Sequence, residues 1–253
     1  MSANLTRLQL DAVVHALAVA LPARSPADVV LKHFFRDHKA LGSRDRALVA
    51  DTVYSVLRRR RLLEALTPSA APRELALASL VKLQGYGIGS LEPVLRGAER
   101  TWLAALKAED VDRQPFEVRA DLPDWVIARL RRRLADEEIL ALAKSLQHPA
   151  PLDLRVNTLK APREAVLQRL EADGTPAAPT RWSPLGVRVK EKVALNKHPM
   201  YLDGAVEVQD EGSQLLGLLV EPRRSDLVVD FCAGAGGKTL QLGAAMGSHG
   251  RLY

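Results

Sequence analysis

From Leu5 onward, apolar side chains return every three or four positions. Leu5, Leu8, Val13, Leu17 and Leu21 mark a stripe that stops at Pro22, the pattern of an amphipathic helix ended by proline. Ser25-Pro26 predicts a second helix, serine capping and proline in the first turn, carrying Val29, Val30, Phe34 and Phe35. Ser43 caps a third, with Ala47, Leu48, Val53, Tyr54, Leu57 and Leu62 on its apolar face. Further helices are predicted over 72–83, 91–106, 123–134 and 136–146, with Gly85-Tyr-Gly-Ile-Gly89 as a flexible connection. The first 150 residues therefore read as all helix.

The period then changes. Gln147-His-Pro-Ala-Pro151 stops the helices, and Leu152-Asp-Leu-Arg-Val156 alternates like a strand. A helix is predicted over 162–172, with Leu167 and Leu170 inward; Asp173-Gly174 ends it, and Gly186-Val-Arg-Val-Lys190 is a second alternating strand. Val206 to Leu215 reads as a strand running into a helix capped around Asp210 and continuing from Ser213 to Val220. Leu227, Val228, Val229 and Phe231 form a short β-branched run, expected of a strand covered on both faces. Gly234, Gly236 and Gly237 follow at once, and Thr239, Leu240 and Leu242 resume at helical spacing.

Composition narrows the class. The chain has 253 residues, 47% of them hydrophobic, enough for one large domain or two to three smaller ones. No apolar run approaches the roughly 18 to 20 residues of a membrane span. The start has no basic leader followed by an apolar core, so secretion is not expected. One cysteine excludes an intramolecular disulfide framework and a cysteine-based zinc cluster. These features point to the cytoplasm. A net charge of +6 favours a polyanionic partner, RNA or DNA, over acidic small molecules. Aromatics are only 4%, so no exposed stacking platform is advertised.

Charged clusters carry two readings each. Arg58-Arg-Arg-Arg61 sweeps about 300° around a helix and cannot share one face. Solvated arginines at a helix C-terminus, where the dipole favours cations, are the plainer reading, and phosphate contact is the other. Arg131-Arg-Arg133 lies near acidic Asp136 to Glu138 and reads as neutralised surface charge. Arg155, Arg188 and Lys190 are either phosphate contacts or outward charges on half-exposed strands. The histidines show no ligand pairing with a carboxylate base, so neither a metal site nor a histidine base is expected.

The chemistry concentrates in the glycine turn behind Asp230, where a parallel sheet would bind a nucleotide-like cofactor. A Walker A loop would use Gly237-Lys238-Thr239 but needs its first glycine where Cys232 stands. A dinucleotide fingerprint begins at Gly234 and Gly236 but meets Thr239 in place of its third glycine. Asp230-x-x-x-Gly234-x-Gly236 remains, and it resembles motif I of S-adenosylmethionine-dependent methyltransferases.

The longer string Asp230-Phe-Cys-Ala-Gly-Ala-Gly-Gly-Lys-Thr239 resembles the signature of RsmB/Sun-type RNA cytosine-5 methyltransferases. Gly234 replaces a usual alanine and Ala235 a usual proline, which makes the turn less rigid. Leu154-Arg-Val-Asn157 and Gln209-Asp-Glu-Gly-Ser-Gln-Leu215 are similar to further family strings, in the family's order. The resemblance implies a multidomain chain: an all-α NusB-like RNA-binding domain over 1–148 and a small α+β RNA-recognition-like domain over 149–205. The beginning of an α/β Rossmann-like methyltransferase domain would occupy 206–253. It implies S-adenosylmethionine as cofactor, held by Cys232, Ala233, Gly234, Ala235, Gly236, Gly237 and Lys238, and RNA, ribosomal RNA above all, as partner. It further implies methyl transfer to cytosine C5 through a cysteine–C6 adduct, with a second cysteine aiding release. Cys232 falls in the cofactor loop, and otherwise reads as a small buried hydrophobe. The nucleophile and the ribose-binding acid are thus expected after Tyr253, with this chain inactive alone. A non-enzymatic RNA-binding module and a nucleoside-triphosphate switch remain the alternatives.

Overall fold

The structure, a computed structural model, describes residues 4–148, 150–190 and 195–253. The chain separates into two compact units, 1–148 and 149–253; Pro149, on the boundary read from the sequence, lies outside the described residues. No helix among the described residues is long and apolar enough to cross a membrane.

The first unit is helical. It begins with α1 (Arg7–Ala20), α2 (Ala27–Asp37), α3 (Ser43–Arg58), α4 (Arg60–Leu66) and α5 (Pro72–Lys82). It continues with α6 (Ile88–Leu91), α7 (Glu99–Ala108), α8 (Phe116–Ala120), α9 (Asp124–Leu130) and α10 (Asp136–Leu146). A capping box starts α1: the Gln9 N–H donates to Thr6 Oγ1 at 3.3 Å and the Thr6 N–H to Gln9 Oε1 at 3.0 Å. Every residue of α5 from Leu75 to Val81 is buried, so this helix is the axis against which α1, α3 and α7 pack. Its all-round apolar surface matches that central place. Ser25 does not cap α2, whose N-cap position is Pro26; Gly42, held by Asp45, precedes α3. The stretch predicted as one helix over 91–106 is a short turn followed by α7, interrupted at Pro93 and Gly97, neither of which sustains a helix interior.

The predicted third helix also breaks, at Arg59, and the arginine run explains why. Arg59 Nε donates to Asp121 Oδ2 at 2.9 Å, and the Arg61 N–H donates to Asp121 Oδ1 at 2.8 Å. Arg61 Nη1 reaches Leu122 O and Asp124, while Arg60 Nη1 donates to Leu21 O at 3.0 Å. A carboxylate that takes both a side-chain and a backbone donor across the kink holds it open between α3 and α4. Residues 59 to 61 therefore tie the kink to neighbouring segments, with Arg59 largely buried and Arg60 and Arg61 still partly exposed. Burial pushes the Asp121 carboxyl above its ordinary range, against the pull of Arg59. Arg131 is neutralised as expected, paired to Asp136 at 2.8 and 3.0 Å and stacked over Phe116.

The second unit opens with β1 (Leu152–Val156), α11 (Arg163–Ala172), β2 (Ala177–Pro179), β3 (Gly186–Val189), α12 (Pro199–Leu202) and β4 (Val206–Val208). The sheet order is β2-β3-β1-β4, antiparallel throughout. Val166 and Leu170 of α11 cover Leu154, Val156, Val187 and Val206 on one face. The sheet thus extends past residue 205: β4, placed by sequence in the next domain, pairs with β1. There follow α13 (Glu211–Leu219), β5 (Leu227–Val228), α14 (Gly237–Ala245) and β6 (Arg251–Leu252), with β5 and β6 parallel. Strand β1 does not alternate. Asp153 and Arg155 are buried alongside Leu154 and Val156, because α13 packs on the face they occupy. Strand β5 departs from its sequence reading in the other direction. Leu227, Val229 and Phe231 are 62%, 60% and 94% exposed, since no described element covers their side of β5–β6.

Two stability measurements check this account. Arg59→Ala leaves the buried Asp121 carboxylate without its charged partner, and urea unfolding should show a loss of about 2–3 kcal/mol. Arg58→Ala, which removes no ion pair, should stay within about 0.5 kcal/mol. Glu99 tests the sign of a second pair. Burial raises its carboxyl, but hydrogen bonds from Arg73 and the Arg96 N–H, with both charges, outweigh burial and hold it below 4.5. The advantage of the native protein over Glu99→Gln should be complete above pH 4.5 and shrink as pH falls below it.

Candidate functional site

The glycine turn lies at the C-terminal end of β5 and leads directly into α14. Its first anchor is the sheet: Asp230 N donates to Tyr253 O at 2.7 Å, continuing the β5–β6 ladder. Its second is Thr239 Oγ1, which donates to Asp230 Oδ2 at 2.7 Å and closes the turn on itself. Between these anchors the backbone enters the left-handed region at Gly234 (φ 56°) and Gly236 (φ 84°), where a Cβ costs about 1–2 kcal/mol. Gly236 is the N-cap of α14, and a Cβ there would meet no heavy atom within 4 Å. The backbone thus faces open space beside the first, unpaired N–H groups of a helix, an arrangement that receives electron-rich ligand atoms.

The residues predicted to line the cofactor are consecutive on this turn. Cys232, Ala233, Gly234, Ala235 and Lys238 are exposed, and Gly236 and Gly237 half-buried. Cys232 is a free, exposed thiol, which corrects the reading of it as a small buried hydrophobe: β5 has no cover on that side. Lys238 Nζ donates to Ser213 Oγ at 3.0 Å, tying the first turn of α14 to α13.

Beneath the turn runs a buried chain of polar groups that sequence reasoning missed. Arg155 Nε donates to Gln209 Oε1 at 2.6 Å, and Gln209 Nε2 to Gln241 Oε1 at 3.1 Å. Gln241 Nε2 continues to Gln214 O at 2.8 Å, and Gln214 Nε2 returns to Gln209 O at 2.8 Å and Leu154 O at 3.2 Å. Ser183 Oγ donates to Gln214 Oε1 at 2.7 Å. Helix α14 is thereby fixed to α13 and the antiparallel sheet by directional bonds in a low-dielectric interior. Nearby, Arg188 grips Asp153 bidentately at 2.7 and 2.8 Å while its side chain stays 42% exposed. Glu211 accepts the N–H groups of Trp182 and Ser183; these donors outweigh burial and hold its carboxyl below the ordinary range. The one sequence signal for the network is glutamine at 209, 214 and 241, flanked by apolar residues of adjoining elements.

Gly217 lets the network close. A Cβ there would stand 2.3 Å from Gln241 Oε1, so Gly217→Ala must displace that buried amide. Thermal unfolding should show a loss of about 1–3 kcal/mol. Gly217→Ala with Gln241→Ala should lose less than the two single changes summed, because the clash disappears.

Comparisons with known proteins bear on this arrangement. A family model described as "Methyltr_RsmF/B-like, ferredoxin-like domain" matches residues 122–196. A "Probable ribosomal RNA small subunit methyltransferase B" of Synechocystis is 25% identical over 90% of this chain and 59% of its own length. The ribosomal RNA small subunit methyltransferase B of Xylella fastidiosa is 28% identical over 79% of this chain and 51% of its own. That of Pasteurella multocida reaches 33% over 47% of this chain and 26% of its own. The chain thus spans 59% or less of these relatives. Its fold is similar to the crystal structure of PH0851, with a TM-score of 0.71 over 100% of this chain and 64% of that one, at 19% identity. In sequence strings, order of elements and matched relatives, the chain is similar to the RsmB/Sun-type methyltransferases.

Proposed function

We propose that this chain forms the RNA-recognition and cofactor-loop portion of an S-adenosylmethionine-dependent RNA cytosine-5 methyltransferase acting on ribosomal RNA. The observation that carries this reading is the open glycine turn at the end of a parallel strand, closed by Thr239 on Asp230 and followed by a helix N-terminus. Three modules divide the work: a NusB-like helical domain over 1–148, an RNA-recognition-like sheet from 149, and a Rossmann-like cofactor domain begun by the β5–α14–β6 unit. The names of the relatives supply the substrate class.

The turn fits the cofactor by what it lacks as much as by what it offers. Left-handed glycines keep side chains out of the bend, and residues 232 to 238 present backbone N–H and C=O groups at the strand end. The cofactor, when bound, supplies a methyl group on sulfonium. Asp230, fixed by Thr239, holds the bend in register with the sheet, and the glutamine network holds α14 beneath it. C5 of cytosine is a poor nucleophile in the intact ring, and covalent addition at C6 by a thiolate would activate it. Cys232 belongs to the cofactor turn on this reading, so the thiolate is a different cysteine of the whole enzyme.

Titration calorimetry tests the cofactor loop on this chain itself. S-adenosylmethionine should bind, and Gly236→Val, whose side chain both strains φ 84° and enters the open space, should weaken it at least about tenfold. An RNA response with no heat from S-adenosylmethionine would instead favour a non-enzymatic RNA-binding module. Cytosine-5 specificity is read separately, by the position of the methyl group placed on ribosomal RNA by the family's full-length enzyme carrying this chain.

A further inference from the structure

Arg155 is the largest fully buried side chain among the described residues, only 1% exposed, yet it has one neutral hydrogen-bond partner. Its Nε is taken by Gln209; neither terminal nitrogen has a hydrogen-bond acceptor among the described residues. Glu207 is the nearby opposing charge, and no ion pair joins the two. Burial accordingly lowers the Arg155 guanidinium from its ordinary value, with Glu207 working against that drop. A buried guanidinium held by one amide is costly, and buried polar groups of this kind are almost always satisfied.

Arg155 lines a cleft of about 470 Å³ between the loop after β1 and helix α14. Lys160 stands at its rim, with one of its ammonium donors given to Asp203 O; Asn157, Thr239, Ser248 and Glu207 complete the polar lining. The small side chains at Gly243 and Ala244 keep the mouth clear. A forked guanidinium on the floor and a point-charge ammonium at the rim converge on one volume from different elements. A tetrahedral oxyanion has acceptors for both, and the pair leaves a net positive charge after Glu207 is counted.

We propose that this cleft is a phosphate-binding site in which Arg155 and Lys160 hold one oxyanion, a backbone phosphodiester of the RNA substrate. The RNA assignment rests on the function proposed above; the oxyanion chemistry rests on the cleft alone. Such a contact positions a strand without reading its bases. It also places the strand against α14, the helix that carries the cofactor turn.

Inorganic phosphate titrated into this chain, read by thermal shift and calorimetry, should stabilise it saturably. Lys160→Met should weaken that binding about tenfold, and Glu207→Gln should tighten it about threefold, because the opposing carboxylate is gone. Arg155→Met should abolish binding; because that variant can fail to fold, the rim variants decide the question. A short single-stranded RNA should displace phosphate, and a peptide nucleic acid of the same sequence, which has no phosphates, should not. No saturable response to phosphate, or a response that neither rim variant alters, overturns the site. Phosphate binding that RNA leaves untouched overturns the phosphodiester assignment. S-adenosylmethionine titrated in parallel keeps the readings apart: its failure to bind beside an intact phosphate response counts against the cofactor loop only.

Discussion

The bond from Gln209 to Gln241 does more for the second unit than its single hydrogen bond suggests. It joins the end of an antiparallel sheet to the helix of a parallel βαβ unit, two architectures that share no strand pairing. Apolar packing alone would let α14 slide along α13, where Gly217 presents no side chain. Amide groups buried at 3% and 6% exposure admit far fewer arrangements, because each displaced bond leaves an unsatisfied polar atom. A one-residue shift of α14 would unpair Gln241 from both Gln209 and Gln214 O. The glycine turn inherits its position from that constraint.

A similar logic operates in the helical unit, with charge in place of amides. Asp121 sits in the left-handed region at φ 54° and accepts from the side chain of Arg59 at the kink and the Arg61 N–H just past it. Helices α3 and α4 are therefore defined by a partner more than sixty positions away in sequence, not by any local stop signal. Residue types that local rules place at a helix end are recruited instead as tertiary ties. Within the basic run it is Arg59, largely buried, that is most fully committed, to the Asp121 carboxylate.

What was legible in the sequence follows from how local each cause is. Helices α1, α5 and α10 begin and end close to their predicted bounds because apolar period, proline and caps all lie within the segment. The glycine turn was legible because positive φ admits few residue types, and Gly234 and Gly236 stand where the backbone requires them. The cap of α13 by Asp210, whose Oδ1 accepts the Ser213 N–H at 2.9 Å, is equally local. The kink at Arg59, the pairing of β4 with β1, and the burial of Arg155 were not legible. Each depends on an element distant in sequence, and no period within a segment reports it. Arg155 in particular occupies an alternating strand at a position that reads as outward; helices α13 and α14 turn outward into inward.

That inversion connects the two halves of the second unit. Covering both faces of β1 with one apolar face and one polar face requires polar residues that satisfy one another, and Asp153, Gln209, Gln214 and Gln241 all find partners. Arg155 keeps both terminal nitrogens without an acceptor among the described residues, and it lines the cleft beside α14. A methionine there would keep the packing and remove the desolvation cost, as buried-charge replacements generally do. Retaining a cation in that place is therefore a cost to the fold, and an anion arriving through the cleft is the interaction that offsets it.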